Sequence, residues 1–430
     1  MKVFREMTHR YLSLTTWLSV MVVLAMGWGS TAKGDGGEDK ETPNYAVLAK
    51  KIVTCAGNPI DNGVILVSKG KIKALGAQGE IEIPEGYVVL DHSDMFAMPG
   101  LVEAHSHVGA MAGGFNDSVY PTNSGLEIAH QIQPNNDYLK KAIQGGVTTI
   151  LYLPGSGNNM AGLGVTMKTG PGTRDEVILK NPGSLKVAQA GNPERRSSGE
   201  LGSGRAGMNW VLREKLRKGQ KYHLAWLDYE EGRTSEKPAV DLQLEIFRPV
   251  FKGEIPVVIH TQMFQVVMET LRMFHDEFGL KGAVHHGTFD AYRVGEHVAA
   301  RNFPVCAGPR VTVRDNVNGQ IVGVVAGYYA RGAENLFVNV DATGFGQEDL
   351  HFQAALGVRY GLPEENGLYG LTLRPARYLM VDDRVGSLEV GKDADIVIKN
   401  GPVMDISSAV IKVLIDGKVV YDATRDRRIY

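Results

Sequence analysis

Eight short apolar runs of β character, separated by helical or loop-like stretches and flanked by β-rich chain ends, limit what this sequence can fold into. The runs are LVEAHSH, TTILYLP, VTMKTG, SLKVAQAG, IPVVIHT, AVHHGT, FPVCAGP and LFVNVDATG, spread between residues 101 and 344. Between them lie amphipathic stretches such as FQVVMETLRMFHDEFG, where Phe264, Val267, Met268, Leu271 and Phe274 share one helical face. Strands that are apolar throughout are covered on both faces, so the alternation predicts an α/β fold built on a parallel (β/α)8 TIM barrel. Chemistry in such a barrel gathers at the C-terminal ends of the strands.

The chain ends have a different character. YAVLAKKIVT, GVILVSKGKIKALG and YVVLDHSDMFAMPG near the start, and RVGSLEVGKDADIVIKNG and VIKVLIDGKVVYD near the end, read as short strands broken by Gly, Asn-Gly and Lys-Gly turns. Two such ends predict one small β-sandwich domain formed by residues 45–97 plus 384–430, enclosing a barrel domain at 98–383. Ahead of it, Lys2, Arg5 and Arg10 precede an uncharged stretch at 11–32 that closes on the small residues Ser30 and Ala32. This reads as a signal peptide over residues 1–32, followed by a charged, glycine-rich flexible linker at 33–44. The same stretch is long enough to serve as an N-terminal membrane anchor. Either way the folded part is expected outside the cytosol, in the periplasm or the extracellular space.

Composition narrows the partners. A formal net charge of -2 without a basic stripe offers nothing to nucleic acid, which leaves a small-molecule substrate and homo-oligomeric assembly as the associations to expect. The 52 glycines collect in loops such as GSGNNMAGLG and GELGSGRAG, as in an enzyme whose site is made of loops. The two cysteines, Cys55 and Cys306, fall in different domains of this reading and are expected as buried free thiols.

The strand ends hold the candidate chemistry: His105 and His107 on the first, Lys186 on the fourth, His260 on the fifth, His285 or His286 on the sixth and Asp341 on the eighth. Alternate residues of a strand share a face, so His105 and His107 point together, about 7 Å apart along the strand. Neighbours face opposite ways, so one of the sixth-strand pair points inward. His286, nearer the strand end, is the expected ligand, with His285 supporting the site from outside or from a layer behind the ligands. Four imidazoles and a carboxylate suit zinc or another divalent transition metal, as one or two ions. Lys186 joins either as a carbamate formed with CO2, able to bridge two ions, or as an ordinary lysine paired with an acid. Lys168 in VTMKTG is the alternative bridge.

With MPGLVEAHSH, IPVVIH, VHHGT, VNVD and RVGSLEVGKDADIVI in order, the chain resembles the amidohydrolase superfamily, with its imidazolonepropionase-like and prolidase-like enzymes, from about residue 45 to 425. That resemblance implies one metal on His105, His107 and Asp341, a second on His260 and His286, and a bridge by carbamylated Lys186, since SLKVAQAG is similar to the strand that carries such a lysine. Val340, just before the aspartate, stands where the family usually has a small polar residue, which bears on substrate class. The implied reaction is hydrolysis of a C–N bond in an amide or cyclic amide, with dipeptides and N-acyl amino acids as candidate substrates. Metal-activated water attacks, and Asp341 serves as general base and then general acid.

Arg310 in AGPRVT is the expected substrate-binding residue. Arg195, Arg196 and Arg205, in the long insertion after the fourth strand, are further candidates for gripping a carboxylate, and Tyr292 and Asn339 have position alone to recommend them. Two alternatives stand beside this reading: a heterocycle deaminase on the same barrel, and a non-catalytic exported binding protein that keeps the fold.

Overall fold

The computed structural model describes residues 42–111, 113–117, 119–195 and 202–429, and the expected leader and most of the linker lie outside the described residues. From Thr42 onward the chain is one compact unit. Among the described residues no helix is long and apolar enough to cross a membrane.

The strands run β1 (Tyr45–Ile52), β2 (Ile60–Ser68), β3 (Lys71–Ala77), β4 (Val88–Pro99), β5 (Leu101–Ser106), β6 (Val147–Tyr152), β7 (Met160–Lys168), β8 (Ile178–Ala188), β9 (Val257–Thr261), β10 (Gly282–His286), β11 (Val305–Ala307), β12 (Thr312–Arg314), β13 (Ile321–Gly323), β14 (Leu336–Val338), β15 (Ile396–Lys399), β16 (Val410–Ile415) and β17 (Lys418–Asp422). Both chain ends are hydrogen-bonded into a single seven-stranded sheet in the order β17-β16-β15-β4-β1-β2-β3. The join is direct: β4 lies antiparallel to β15, with Ala97 opposite Ile398. Val47, Ile65, Ile72, Ala97, Ile396 and Leu414, drawn from six strands, share one buried cluster, so neither end has a core without the other.

Pro99 and Gly100 mark the exit from this sheet. The Gly100 N–H bonds the Asp395 carbonyl at 3.0 Å. A side chain there would meet the Thr148 hydroxyl at 2.0 Å, so only glycine lets the chain pass into the first barrel strand.

The second sheet is a nearly closed eight-stranded barrel in the order β14-β11-β10-β9-β8-β7-β6-β5. Its seam, between β14 and β5, has no ladder among the described residues. His107 N–H bonds Ala342 O at 2.9 Å across it. Below, the Glu103 carboxylate accepts from Val340 N–H at 3.0 Å and Gln347 Nε2 at 3.1 Å.

One strand departs from the all-parallel expectation. β7 runs antiparallel to both β6 and β8, because short connections rather than crossover helices flank it. Its C-terminal end therefore lies beside the start of β6, Lys168 facing Thr149 across the ladder. This overturns Lys168 as an alternative metal bridge. It sits against the seven-stranded sheet, with Asp395 at 2.8 Å, Asp393 at 3.0 Å and Asp416 at 3.1 Å.

After β8 the insertion forms a helix, Arg205–Glu230, burying Met208, Leu212, Leu216, His223 and Trp226 at near-helical spacing. Arg213 ties it to the neighbouring helical segment through Glu269 at 2.8 Å and Glu277 at 2.7 Å. Both cysteines are free and buried, and burial pushes the Cys55 thiol up to about 12.

Candidate metal centre

Inside the barrel, register places Ala283 opposite Val258 and, two residues further along, His285 opposite His260. An apolar layer of Val102, Leu151, Val258, Ala283, Cys306 and Phe337 thus underlies a polar layer at the strand ends.

The imidazoles there are held by groups on or just past neighbouring strands. His107 Nδ1 lies 2.8 Å from the Leu153 carbonyl, just past β6, and His286 Nδ1 lies 2.9 Å from the Gly308 carbonyl, just past β11. Since a carbonyl only accepts, both rings donate to it through Nδ1–H and turn Nε2 toward the centre of the site. His260 Nδ1 lies 2.8 Å from the Ser156 hydroxyl, and His105 Nδ1 lies 2.9 Å from His285 Nδ1.

The Nε2 sides converge. Asp341 Oδ1 stands 3.4 Å from His105 Nε2 and 3.3 Å from His107 Nε2, and Lys186 Nζ lies 3.0 Å from His105 Nε2. The His260 and His286 rings are 4.3 Å apart. Both of their Nε2 atoms are buried without a hydrogen-bond partner. Orphaned nitrogens of this kind are costly unless something electrophilic sits against them. His105, His286 and Asp341 offer ligand atoms all within 4.8 Å of one another, a cluster that fits a metal ion.

Electrostatics favours the ligand forms. Burial, helped by Lys186 and the adjacent rings, pushes His105, His260 and His285 well below the ordinary imidazole range, and His286 moves the same way. Burial pushes the Asp341 carboxyl up, but His286, His107 and Lys186 outweigh it and hold the group below the usual carboxylate range. Burial also brings the Lys186 ammonium down to about 7.

The backbone is strained where the rings converge. His286 has φ 75° and Asp341 φ 50°, conformations that few non-glycine residues adopt. The turn at His286 breaks simple strand alternation, so both sixth-strand rings reach His105, with centroids 5.0 Å (His285) and 4.6 Å (His286) away. Gly308 has φ 135° and would place a side chain 2.1 Å from the Asn339 carbonyl. Its lack of one lets β11 and β14 close around the site.

Known proteins resemble this chain in sequence and fold. An amidohydrolase family model matches residues 346–420. The curated relative Amidohydrolase tasK of Hapsidospora irregularis is 25% identical over 84% of this chain, which spans only 40% of that relative's length. The crystal structure of an amidohydrolase from Thermotoga maritima MSB8 is 30% identical, with a TM-score of 0.78 over 88% of this chain and 100% of that one. The chain belongs to the amidohydrolase superfamily. A prolidase solved with N-methylphosphonate-L-proline shares the fold at 14% identity and a TM-score of 0.53, over 88% of this chain and 100% of that one.

In this amidohydrolase His105, His107, Lys186, His260, His286 and Asp341 therefore meet at one end of the barrel. Arg310 is exposed at the same end, its guanidinium 4.7 Å over the Phe289 ring. Tyr292 and Asn339 are used for packing: Tyr292 bonds Asp315, and Asn339 Nδ2 donates to the Cys306 carbonyl at 2.8 Å. Arg205 pairs with Glu194 at 3.0 Å, while Arg196 and the Arg195 side chain lie outside the described residues.

Three participants escaped the sequence reading. Glu103 lies within the first strand's apolar run and was the one acid there, a legible signal. Burial pushes its carboxyl up to about 8. Ser156, in a glycine-rich loop, and Phe115, stacked on His107 at 5.2 Å, gave no comparable sign.

Proposed function

We propose that this amidohydrolase hydrolyses a C–N bond in an amide or cyclic amide, with dipeptides and N-acyl amino acids as the substrate classes to test. The observation that carries the reading is the convergence of His105 and His107 Nε2 on Asp341 Oδ1, beside the partnerless Nε2 atoms of His260 and His286. His105, His107 and Asp341 would hold one divalent ion, zinc foremost, and His260 and His286 a second. When bound, such a metal polarises the scissile carbonyl and brings the pKa of a coordinated water toward neutrality.

The chain's own residues do the rest. Lys186, with its amine brought down to about 7, is part neutral at physiological pH. Its lone pair can add to CO2, forming an N–C bond with loss of one proton and turning the tip into a carboxylate that joins the two ligand groups. Asp341, ionised across the neutral range, takes a proton from the attacking water and returns it to the departing nitrogen. Arg310 receives a substrate carboxylate at the rim, where its guanidinium lies over the Phe289 ring. Export belongs to the same proposal. The uncharged stretch at 11–32 behind three cations supports it, as leader or anchor.

Metal analysis of the purified chain, with a hydrolysis screen over N-acyl amino acids, dipeptides and cyclic amides, tests the reading. Bound divalent metal and turnover of one class are expected. Failure to bind any metal under every loading condition overturns it.

A further inference from the structure

The His105 ring differs from its neighbours in how its proton is fixed. No carbonyl anchors it; its Nδ1 faces another imidazole nitrogen, His285 Nδ1, at 2.9 Å. Two ring nitrogens at that distance need one proton between them, and which ring supplies it decides whether His105 Nε2 is bare. Deeper in the barrel the answer is set. His285 Nε2 lies 3.2 Å from the Tyr378 hydroxyl, which itself lies 3.0 Å from the Val257 carbonyl. A carbonyl only accepts, so the phenol gives its single proton to Val257 and its oxygen accepts from His285 Nε2–H. A neutral His285 protonated at Nε2 has a bare Nδ1, so the proton between the rings belongs to His105 Nδ1. His105 Nε2 is left with its lone pair toward Lys186 and Asp341.

We infer that His285 and Tyr378 are positioning residues whose directed chain of hydrogen bonds, starting from the Val257 carbonyl, holds His105 in the tautomer that turns an unprotonated Nε2 toward the metal cluster. All three side chains are buried, so no bulk water competes for the bonds. Tyr378 comes from the helix Leu373–Leu379, which closes the end of the barrel away from the metal cluster, so the site draws on a residue at the opposite end of the fold. The inference rests on reading His105 as a ligand, and it concerns a ring that could equally be protonated on the wrong nitrogen without this support.

Two measurements test it. Zinc affinity of metal-free protein, by competition with a chromophoric chelator, should fall roughly 10–100-fold in His285→Leu and several-fold in Tyr378→Phe. His285→Gln, whose amide oxygen can accept the same bond, should stay within about threefold of wild type. Nitrogen-15 shifts of labelled histidine in the metal-free protein should show His105 protonated at Nδ1, becoming a mixture of tautomers in Tyr378→Phe, a change that lost packing would not produce. Unchanged zinc affinity in a folded His285→Leu or Tyr378→Phe variant, or His105 protonated at Nε2 in wild type, overturns the inference. Absence of zinc uptake by wild type instead defeats the reading of the site, and the nitrogen spectrum still decides the tautomer.

Discussion

Lys186 Nζ stands 3.0 Å from His105 Nε2, the same nitrogen that lies 3.4 Å from Asp341 Oδ1. An amine placed against a ligand nitrogen and beside a carboxylate is either a competitor for the metal or, as a carbamate, part of its coordination. Carbamate formation needs the neutral amine, so with the ammonium at about 7 the modification should be more complete at pH 8 than at pH 6. Protein prepared with carbon-13 bicarbonate should show a carbamate carbonyl resonance that Lys186→Met lacks, and the variant should hold less metal. Two bound ions without that resonance would exclude the carbamate.

Asp341 is ionised and faces both His105 and His107. Asparagine keeps its shape and one oxygen but cannot shuttle a proton. Turnover in Asp341→Asn should fall by about 10²–10⁴-fold, with metal content only partly reduced. Wild-type turnover in this variant would remove Asp341 from the proton path.

The Arg310 guanidinium lies 4.7 Å over the Phe289 ring at the rim. A charge-assisted bond to a substrate carboxylate is worth about 1.5–3 kcal/mol, so Arg310→Ala should raise KM roughly 10–100-fold with little change in kcat. Esterifying the substrate carboxylate should mimic the variant. An unchanged KM for a carboxylate substrate rules out this contact.

Lys168 serves stability rather than chemistry. It is the one cation within reach of Asp395 among the described residues, whereas Asp393 also has Lys71 at 2.5 Å and Arg384 at 2.9 Å. Lys168→Met strands a buried carboxylate and should cost on the order of 3 kcal/mol in urea unfolding. Metal content should not change, which separates this lysine from Lys186.

Lys399 is 2% exposed, donating to the Val403 carbonyl at 2.8 Å. Burial, partly offset by Asp405, pushes its ammonium down to about 8, against about 10.4 in an unfolded chain. Between those values the unfolded chain holds the proton and the folded one does not, so this group makes stability rise with pH across that window. Lys399→Met should therefore be more stable than wild type at pH 7, by up to about 3 kcal/mol, with the gap closing toward pH 10.5. His351 Nε2 remains at 2.7 Å from Val403 O to satisfy the carbonyl. Parallel stability curves for the two proteins from pH 7 to 10.5 would refute the assignment.

What could be read in advance was what repeats or clusters. Apolar runs announced the barrel strands, and polar residues at their ends announced His105, His107, Lys186, His260, His286 and Asp341. Strand direction left no such mark: VTMKTG reads the same whether β7 runs up or down, and only the pairing of Lys168 with Thr149 shows which end it reaches. On the sixth strand, alternation alone did not show that His285 reaches His105 as well as His286 does. Alternation holds along regular backbone, and φ 75° at His286 departs from it. Glu103 and Tyr378 act through partners far away in sequence, Val340 and His285, which no local pattern could supply.

The pairing of Ala97 with Ile398 has a consequence for synthesis. β4 leaves the ribosome early with β1 on one side and nothing on the other, and the whole barrel must be translated before β15 arrives to cover that edge. Until then the nascent chain carries an open strand edge, the kind of surface that invites pairing with a neighbouring copy. A ribosome that stalls before β15 would release a chain whose barrel strands are all present and whose β4 edge is still bare.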